Sequence, residues 1–112
     1  EGKFDGIAMR VPTVSGSIAD ITFIAKRPTT VEEVNSILTK AASEKRWQGI
    51  LKVTNEQVVS SDIVGEPYGA IVDLKFTKVI DADLVKILSW YDNEAGYVAT
   101  LVKHAQAVAK LL

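Results

Sequence analysis

Apolar residues repeat at helical spacing in the middle of the chain. From about Val31 to Ser43 they recur three and four positions apart, which places them on one face of an α-helix. Thr30 and Glu33 have the spacing of a capping box, in which the hydroxyl and the carboxylate satisfy free backbone N–H groups. The charged residues 44–46 then form a solvated exit. The pattern predicts a helix over residues 31–43.

A second helical pattern lies near the C-terminus. Its apolar stripe is made of Val98, Leu101, Val102, Ala105, Val108 and Leu112. Asp92 or Asn93 can cap this segment, and Glu94 lies in its first turn, where the helix dipole favours an anion. We expect a terminal helix over residues 93–112.

Other segments have the β-branched, aromatic or alternating composition of strands. They cover residues 3–11, 17–25, 49–54, 71–80 and 84–91. Within residues 71–80 the alternation predicts that Phe76 faces a core together with Val72, and that Thr77 faces away together with Asp73. The intervening residues 55–68 and 81–83 are typical of a loop and a turn.

Strands outnumber helices in this order, and several connections are too short for crossovers. The sequence therefore predicts an α+β fold. We expect a mostly antiparallel mixed β-sheet with helices packed on one face, ending in the C-terminal helix. We expect a single domain over residues 1–112.

The composition is that of an average globular domain, with 47% hydrophobic and 24% charged residues. The lack of cysteine excludes disulfides, thiolate zinc sites and a cysteine nucleophile within these residues. A net charge of -1 offers no field for a nucleic-acid backbone, and no apolar run reaches the roughly 20 residues of a membrane helix. Because the chain begins with Glu1 rather than Met, we expect it to be processed, trimmed or a piece of a longer protein.

Taken alone, the residue types offer few catalytic constellations. The single histidine, His104, can be a general base or a histidine on the flank of the terminal helix, and we prefer the second interpretation. No histidine pair or carboxylate cluster has the spacing of a metal site. Trp47 beside Arg46 can stack on a base or sugar, or it can cover the end of a core, which we favour.

Arg10 and Asn93 are harder to dismiss. Arg10 ends an apolar segment, and its planar guanidinium suits a phosphate held in a cleft. The alternative is an ion pair with Asp20 or another carboxylate. Asn93 lies at a strand-to-helix junction, where its side chain can pair with a planar amide. The alternative is a helix cap flanked by core aromatic residues.

Several motifs, in order along the whole chain, resemble those of phosphorylating glyceraldehyde-3-phosphate dehydrogenases. They are MRVPT at residues 9–13, GSIADI at 16–21, GIL at 49–51 with VVSSD at 58–62, AIVD at 70–73, and SWYDNE at 89–94 followed by Gly96 and Tyr97. The resemblance implies that the chain is the last third or so of such an enzyme. Ala95 and Val98 depart from the family, which usually has a bulky residue and a Ser or Thr at these positions.

The resemblance also implies roles for three residues. Arg10 would bind the substrate phosphate, Asn93 would bind the nicotinamide carboxamide of NAD or NADP, and Tyr97 would lie beside the nicotinamide. The family's cysteine nucleophile, its histidine partner and its Rossmann domain all lie upstream of the matched region. No catalytic residue and no metal site is therefore expected in this chain, and His104 does not match the catalytic histidine.

Two hypotheses follow from this resemblance. In the first, the chain belongs to a cytoplasmic, glycolytic enzyme that oxidises glyceraldehyde 3-phosphate to 1,3-bisphosphoglycerate with NAD(P) and phosphate. An erythrose-4-phosphate dehydrogenase remains an alternative. The 112 residues alone are then expected to be inactive, to bind no cofactor stably, and to need the missing N-terminal portion. In the second, they form a non-catalytic assembly or binding module. Because the family's members are usually homotetramers, we expect self-association through exposed apolar surface.

Overall fold

A four-stranded mixed sheet organises the chain, of which the computed structural model describes residues 2–111. The elements are β1 (Ser17–Ile24), α1 (Val31–Ser43), β2 (Leu51–Thr54), α2 (Ser60–Ile63), β3 (Ala70–Ile80), β4 (Leu84–Tyr91) and α3 (Ala95–Ala109). The strands lie in the order β1-β4-β3-β2. Only β2 and β3 run parallel, because the chain between them crosses back through α2. The predicted α+β fold with its mostly antiparallel sheet and C-terminal helix is confirmed.

The hydrophobic core lies on the sheet face that α1 covers. Its buried members are Val72, Leu74, Val85 and Ile87. Val34 and Leu38, four residues apart on α1, pack against this cluster. The apolar spacing that predicted α1 therefore marks its buried face.

Half of the predicted capping box is present at the start of α1. The Glu33 backbone N–H donates to Thr30 Oγ1 at 3.2 Å, as expected. The Glu33 carboxylate does not return to the Thr30 backbone. It accepts instead from Thr29 Oγ1 at 2.7 Å and from the Arg27 guanidinium at 2.5 Å.

The predicted alternation along β3 holds through Leu74, which is buried with Val72, and is wrong beyond it. Asp73 pairs with Leu88, and the next pair is Lys78 with Lys86, five residues further along β3 but two along β4. This bulge adds an odd number of residues and so exchanges the two faces. Phe76 is consequently 51% exposed, while Thr77 is buried.

The predicted strand over residues 3–11 is also wrong. Residues 2–16 form no strand, and among residues 2–111 no neighbouring strand pairs with them. Apolar side chains in this segment are exposed, Phe4 and Ile7 among them. The local sequence has strand composition, but a strand also needs a partner for its backbone N–H and C=O groups.

The β3–β4 hairpin closes through the predicted turn at residues 81–83. Asp81 and Ala82 have φ values of 49° and 62°. Two consecutive positive φ values are those of a type I′ turn, whose twist matches the flanking strands. The turn fixes the register that brings Ile80 opposite Leu84.

Helix α3 begins at Ala95 and ends at Ala109, inside the predicted range 93–112. Its apolar stripe does not reach the core, and Val98, Leu101 and Val102 are each about half exposed. Leu112, assigned to the same stripe, lies outside the described residues. The helix therefore projects from the sheet with its apolar side uncovered by residues 2–111.

Candidate functional site

A buried carboxylate joins three segments of the chain where β4 ends and α3 begins. Asp92 is only 3% exposed. Its Oδ1 accepts from the backbone N–H groups of Glu94 at 2.7 Å and Ala95 at 2.9 Å, and from Ser15 Oγ at 3.2 Å. Its Oδ2 accepts from the Gly65 N–H at 2.8 Å. We call these five residues the Asp92 cluster.

The hydrogen bonds of the cluster favour the ionised form of Asp92. They hold the pKa of its carboxyl below the ordinary value, led by the bond from the Gly65 N–H and then by that from Glu94, while burial acts in the opposite direction. The carboxylate also lies beside the first N–H groups of α3, where the helix dipole favours a negative charge. The predicted cap of the terminal helix is therefore Asp92 rather than Asn93.

The oxygen and the nitrogen of the Asn93 side-chain amide face different surroundings. Asn93 Oδ1 accepts from the Gly16 N–H at 3.0 Å, with the Ser17 hydroxyl at 3.5 Å. Because a backbone N–H can only donate, this contact assigns the oxygen, not the nitrogen, to the inner position. Asn93 is exposed, and no hydrogen bond joins its Nδ2 to another residue in 2–111. The amide therefore presents two free N–H donors to solvent.

The start of α3 is held close to the backbone that leads into β3. A Cβ atom placed on Gly96 would lie 2.5 Å from the Tyr68 carbonyl oxygen, so only glycine permits this approach. Two turns further on, Lys103 Nζ donates to the Gly49 carbonyl oxygen. The helix is thus anchored over its first half, next to Asn93.

Arg10 and Tyr97, the other two predicted site residues, are both open to solvent. Arg10 lies in the irregular segment before β1, and no hydrogen bond or ion pair joins it to another described residue. Its alternative partner, Asp20, accepts instead from Lys86 Nζ at 2.6 Å. Tyr97 is 63% exposed in the first turn of α3, at the same end of the helix as Asn93. No hydrogen bond or ion pair among the described residues joins Arg10 to Asn93 or to Tyr97.

Two other candidates are explained by their surroundings. His104 is exposed on α3, as expected for a histidine on a helix flank. The Arg46 guanidinium lies 4.9 Å from the centre of the Trp47 ring, so one face of that ring is already covered. Residues 2–111 contain no group of three or more His, Asp or Glu side chains arranged to hold a metal ion.

Sequence reasoning missed most of the Asp92 cluster. It identified Asp92 as a possible helix cap, which is a local signal. It gave no role to Ser15 or Gly65, which lie 77 and 27 residues away from Asp92. It noted Gly16 only within the GSIADI motif; the φ of this residue is +92°, which glycine adopts freely.

No helix among the described residues is both long and apolar enough to span a bilayer.

Comparison with known proteins gives a consistent result. Residues 1–93 match the family model described as "Glyceraldehyde 3-phosphate dehydrogenase, C-terminal domain". All 112 residues align with a glyceraldehyde-3-phosphate dehydrogenase of Mycobacterium avium at 48% identity and with one of Zymomonas mobilis at 42%. A relative of the same name from Borreliella burgdorferi is 46% identical over 98% of the chain. The chain spans about a third of the length of each, namely 32%, 33% and 33%.

Proposed function

The chain belongs to the glyceraldehyde-3-phosphate dehydrogenase family, and we propose that it acts as the C-terminal part of a phosphorylating enzyme of that family. The whole enzyme would oxidise glyceraldehyde 3-phosphate with NAD or NADP and inorganic phosphate, and would release 1,3-bisphosphoglycerate. The observation that carries the proposal is the fixed amide of Asn93. Its oxygen is held by Gly16, and its nitrogen is free to donate.

This amide fits the nicotinamide group of the proposed cofactor. A nicotinamide carboxamide presents a carbonyl oxygen that accepts hydrogen bonds, and Asn93 Nδ2 is a free donor at the start of α3. When bound, the cofactor would supply hydride acceptance from the substrate. The contribution of this chain is to hold the carboxamide through Asn93 and to place the exposed ring of Tyr97 beside it.

Arg10 is the proposed ligand of the substrate phosphate. Its guanidinium has no partner in residues 2–111, and its planar fork can donate to two phosphate oxygens in parallel. The nucleophile and the base of the reaction would come from upstream residues, because this chain has no cysteine and its histidine is exposed on α3. We therefore propose that the 112 residues alone are inactive and bind no cofactor stably.

The proposed enzyme is a cytoplasmic homotetramer. Within each subunit, this chain would pack against the upstream portion of the same enzyme. Exposed apolar side chains on β1, namely Ile18, Ile21, Phe23 and Ile24, support a surface that other protein covers. They also favour the second candidate function, a non-catalytic assembly module. Activity with erythrose 4-phosphate instead of glyceraldehyde 3-phosphate is the remaining alternative for the substrate.

Complementation distinguishes these functions. The chain is combined with the upstream two thirds of the Mycobacterium avium relative, and formation of reduced cofactor is measured with each aldehyde phosphate. The proposal predicts turnover with glyceraldehyde 3-phosphate for the combination and none for either part alone. A correctly folded combination without turnover would leave only the assembly module, and preference for erythrose 4-phosphate would correct the substrate.

The substitution Asn93→Asp tests the site itself. The carboxylate can still accept from the Gly16 N–H, but it cannot donate to a carboxamide. Loss of that donor should raise the KM for the dinucleotide about five- to tenfold. Asn55→Asp, the same change at an exposed loop residue, is the matched control and should leave that KM unchanged. Equal KM values for both variants would contradict the role of Asn93.

A further inference from the structure

We propose that Asp92 is a positioning residue that fixes which end of the Asn93 amide faces the cofactor. This inference rests on the proposed function, because it concerns the same carboxamide contact. Asp92 itself is buried, and it acts through Ser15 and the backbone of the next residue, Gly16. The role follows from how two pairs of neighbouring residues meet.

Two hydrogen bonds run side by side between the segment before β1 and the end of β4. Ser15 Oγ donates to Asp92 Oδ1 at 3.2 Å, and the next residue, Gly16, donates its N–H to Asn93 Oδ1 at 3.0 Å. The two acceptors are neighbours in the chain, as are the two donors. The bond to Asp92 therefore holds the Gly16 N–H where Asn93 needs it.

Among the described residues, the Gly16 N–H makes the one short hydrogen bond that orients the Asn93 amide. Turning the amide by half a rotation would direct its NH2 group at the Gly16 N–H, leaving two donors facing each other. The Ser17 hydroxyl, at 3.5 Å, is too distant to enforce the same orientation by itself. While Gly16 stays in place, Asn93 can only offer donors outwards.

Gly16 needs an external restraint to stay in place. Its φ of +92° lies in a region that glycine reaches freely, and glycine is also the residue with the most alternative conformations. The segment before it, residues 2–16, belongs to no strand or helix. On its C-terminal side Gly16 is restrained by β1, whose first residue Ser17 pairs with Tyr91. On its N-terminal side the restraint comes from Asp92, whose own position is set by the N–H groups of Gly65 and of the start of α3.

The Asp92 carboxylate accepts hydrogen bonds and is surrounded by donors, so replacing it with a neutral amide should destabilise the cluster. In Asp92→Asn, one oxygen becomes an NH2 group that faces either the Gly65 N–H or the N–H groups of Glu94 and Ala95. The carboxamide must turn or withdraw, and the Ser15–Gly16 segment loses its anchor. The expected consequence is a freely rotating Asn93 amide.

The test uses the combination of the chain with the upstream two thirds of the Mycobacterium avium relative, and it compares Asp92→Asn with two other variants. The positioning role predicts that Asp92→Asn raises the KM for the dinucleotide about tenfold and leaves the KM for the aldehyde phosphate within about twofold. Asp62→Asn is the matched control, since its carboxylate caps α2 by accepting from the Val59 N–H at 2.8 Å. This control should lower thermal stability without changing the KM for the dinucleotide.

Ser15→Ala keeps the test decisive if Asp92→Asn does not fold. It leaves the carboxylate and its three backbone donors intact and removes only the link to Gly16. We expect a rise of about two- to threefold in the KM for the dinucleotide and faster hydrogen exchange of the Gly16 amide. Unchanged values for both quantities would overturn the inference.

The outcome separates this inference from the proposed function. If the unsubstituted enzyme binds no dinucleotide, the proposed function fails, and Asp92 has nothing to position. If it binds dinucleotide and Asn93→Asp weakens binding, while Asp92→Asn and Ser15→Ala only lower stability, the proposed function stands. In that case Asp92 is a structural cap and the positioning role is overturned.

Discussion

Replacing Gly96 by alanine sets helix propensity against close packing at the start of α3. Alanine is favoured over glycine inside a helix by about 1 kcal/mol. A Cβ atom on Gly96 would, however, lie 2.5 Å from the Tyr68 carbonyl oxygen and 3.5 Å from that of Glu66. Since Cβ atoms in proteins do not come within 3.0 Å of such a neighbour, the helix start must retreat by at least half an ångström.

The magnitude follows from the rigidity of the obstacle. Tyr68 opposes the new methyl group with backbone, which cannot move aside as a flexible side chain can. Overpacking of this kind costs about 1–3 kcal/mol. The gain in helix propensity offsets part of this cost, so Gly96→Ala should lower the free energy of unfolding by about 1 kcal/mol. The retreat would also stretch the bonds from Glu94 and Ala95 to Asp92.

Urea denaturation of the folded chain provides the assay, with Ala105→Gly as the control. Ala105 is exposed on α3, so its replacement by glycine reports propensity alone and should cost about 1 kcal/mol. Amide hydrogen exchange at Glu94 and Ala95 should become faster in Gly96→Ala and stay unchanged in Ala105→Gly. A Gly96→Ala chain that is as stable as the unsubstituted one would refute the close approach of α3 to Tyr68.

Three further predictions concern stability. Val85→Ala, at a core residue with no exposed surface, should cost about 2 kcal/mol in urea denaturation, and a loss below about 0.5 kcal/mol would contradict the core assignment. Ala82→Gly should raise the free energy of unfolding by about 1 kcal/mol, because alanine is strained at φ 62°; an unchanged value would argue against the type I′ turn. Hydrogen bonds from Arg27 and then Thr29 lower the pKa of Glu33 from 4.5 to about 2, so its contribution is present above pH 4.5 and is lost as the pH falls towards 2. In Glu33→Gln the free energy of unfolding should therefore fall less steeply between pH 4.5 and 2. The same pH dependence in both chains would contradict this assignment.

The elements that depend on local pattern could be predicted from the sequence. The helix at residues 31–43 and the strand at residues 84–91 have the predicted bounds, because their signals lie within a few neighbouring residues. The β3 bulge could not be predicted, since it depends on which residue of β4 faces which residue of β3. The failure at residues 3–11 has the same origin, because a strand requires a partner that local composition does not reveal.

The same distinction between local and long-range signals applies to the candidate site. Motif resemblance identified Asn93, Arg10 and Tyr97, and their functional roles stay predictions. The sequence could not reveal that Gly16 fixes the Asn93 amide, or that Ser15 and Gly65 meet at Asp92, because these contacts join distant segments. Such contacts depend on the path of the whole chain, and no spacing within a short segment encodes them.

Helix α3 is held at its N-terminal end, and its C-terminal half is exposed, so a small tilt of the helix displaces its two ends by very different distances. Its 15 residues span about 22 Å; the contact between Gly96 and Tyr68 fixes its start, and among residues 2–111 the only further hydrogen bond that tethers it runs from the flexible side chain of Lys103 to Gly49. A tilt of about 5° about this start would move the far end by about 2 Å, while Asn93, beside the start, would move by a small fraction of that distance. A surface that covers Val108 can therefore move by an ångström or two while the Asn93 amide, close to the fixed start of the helix, stays almost still.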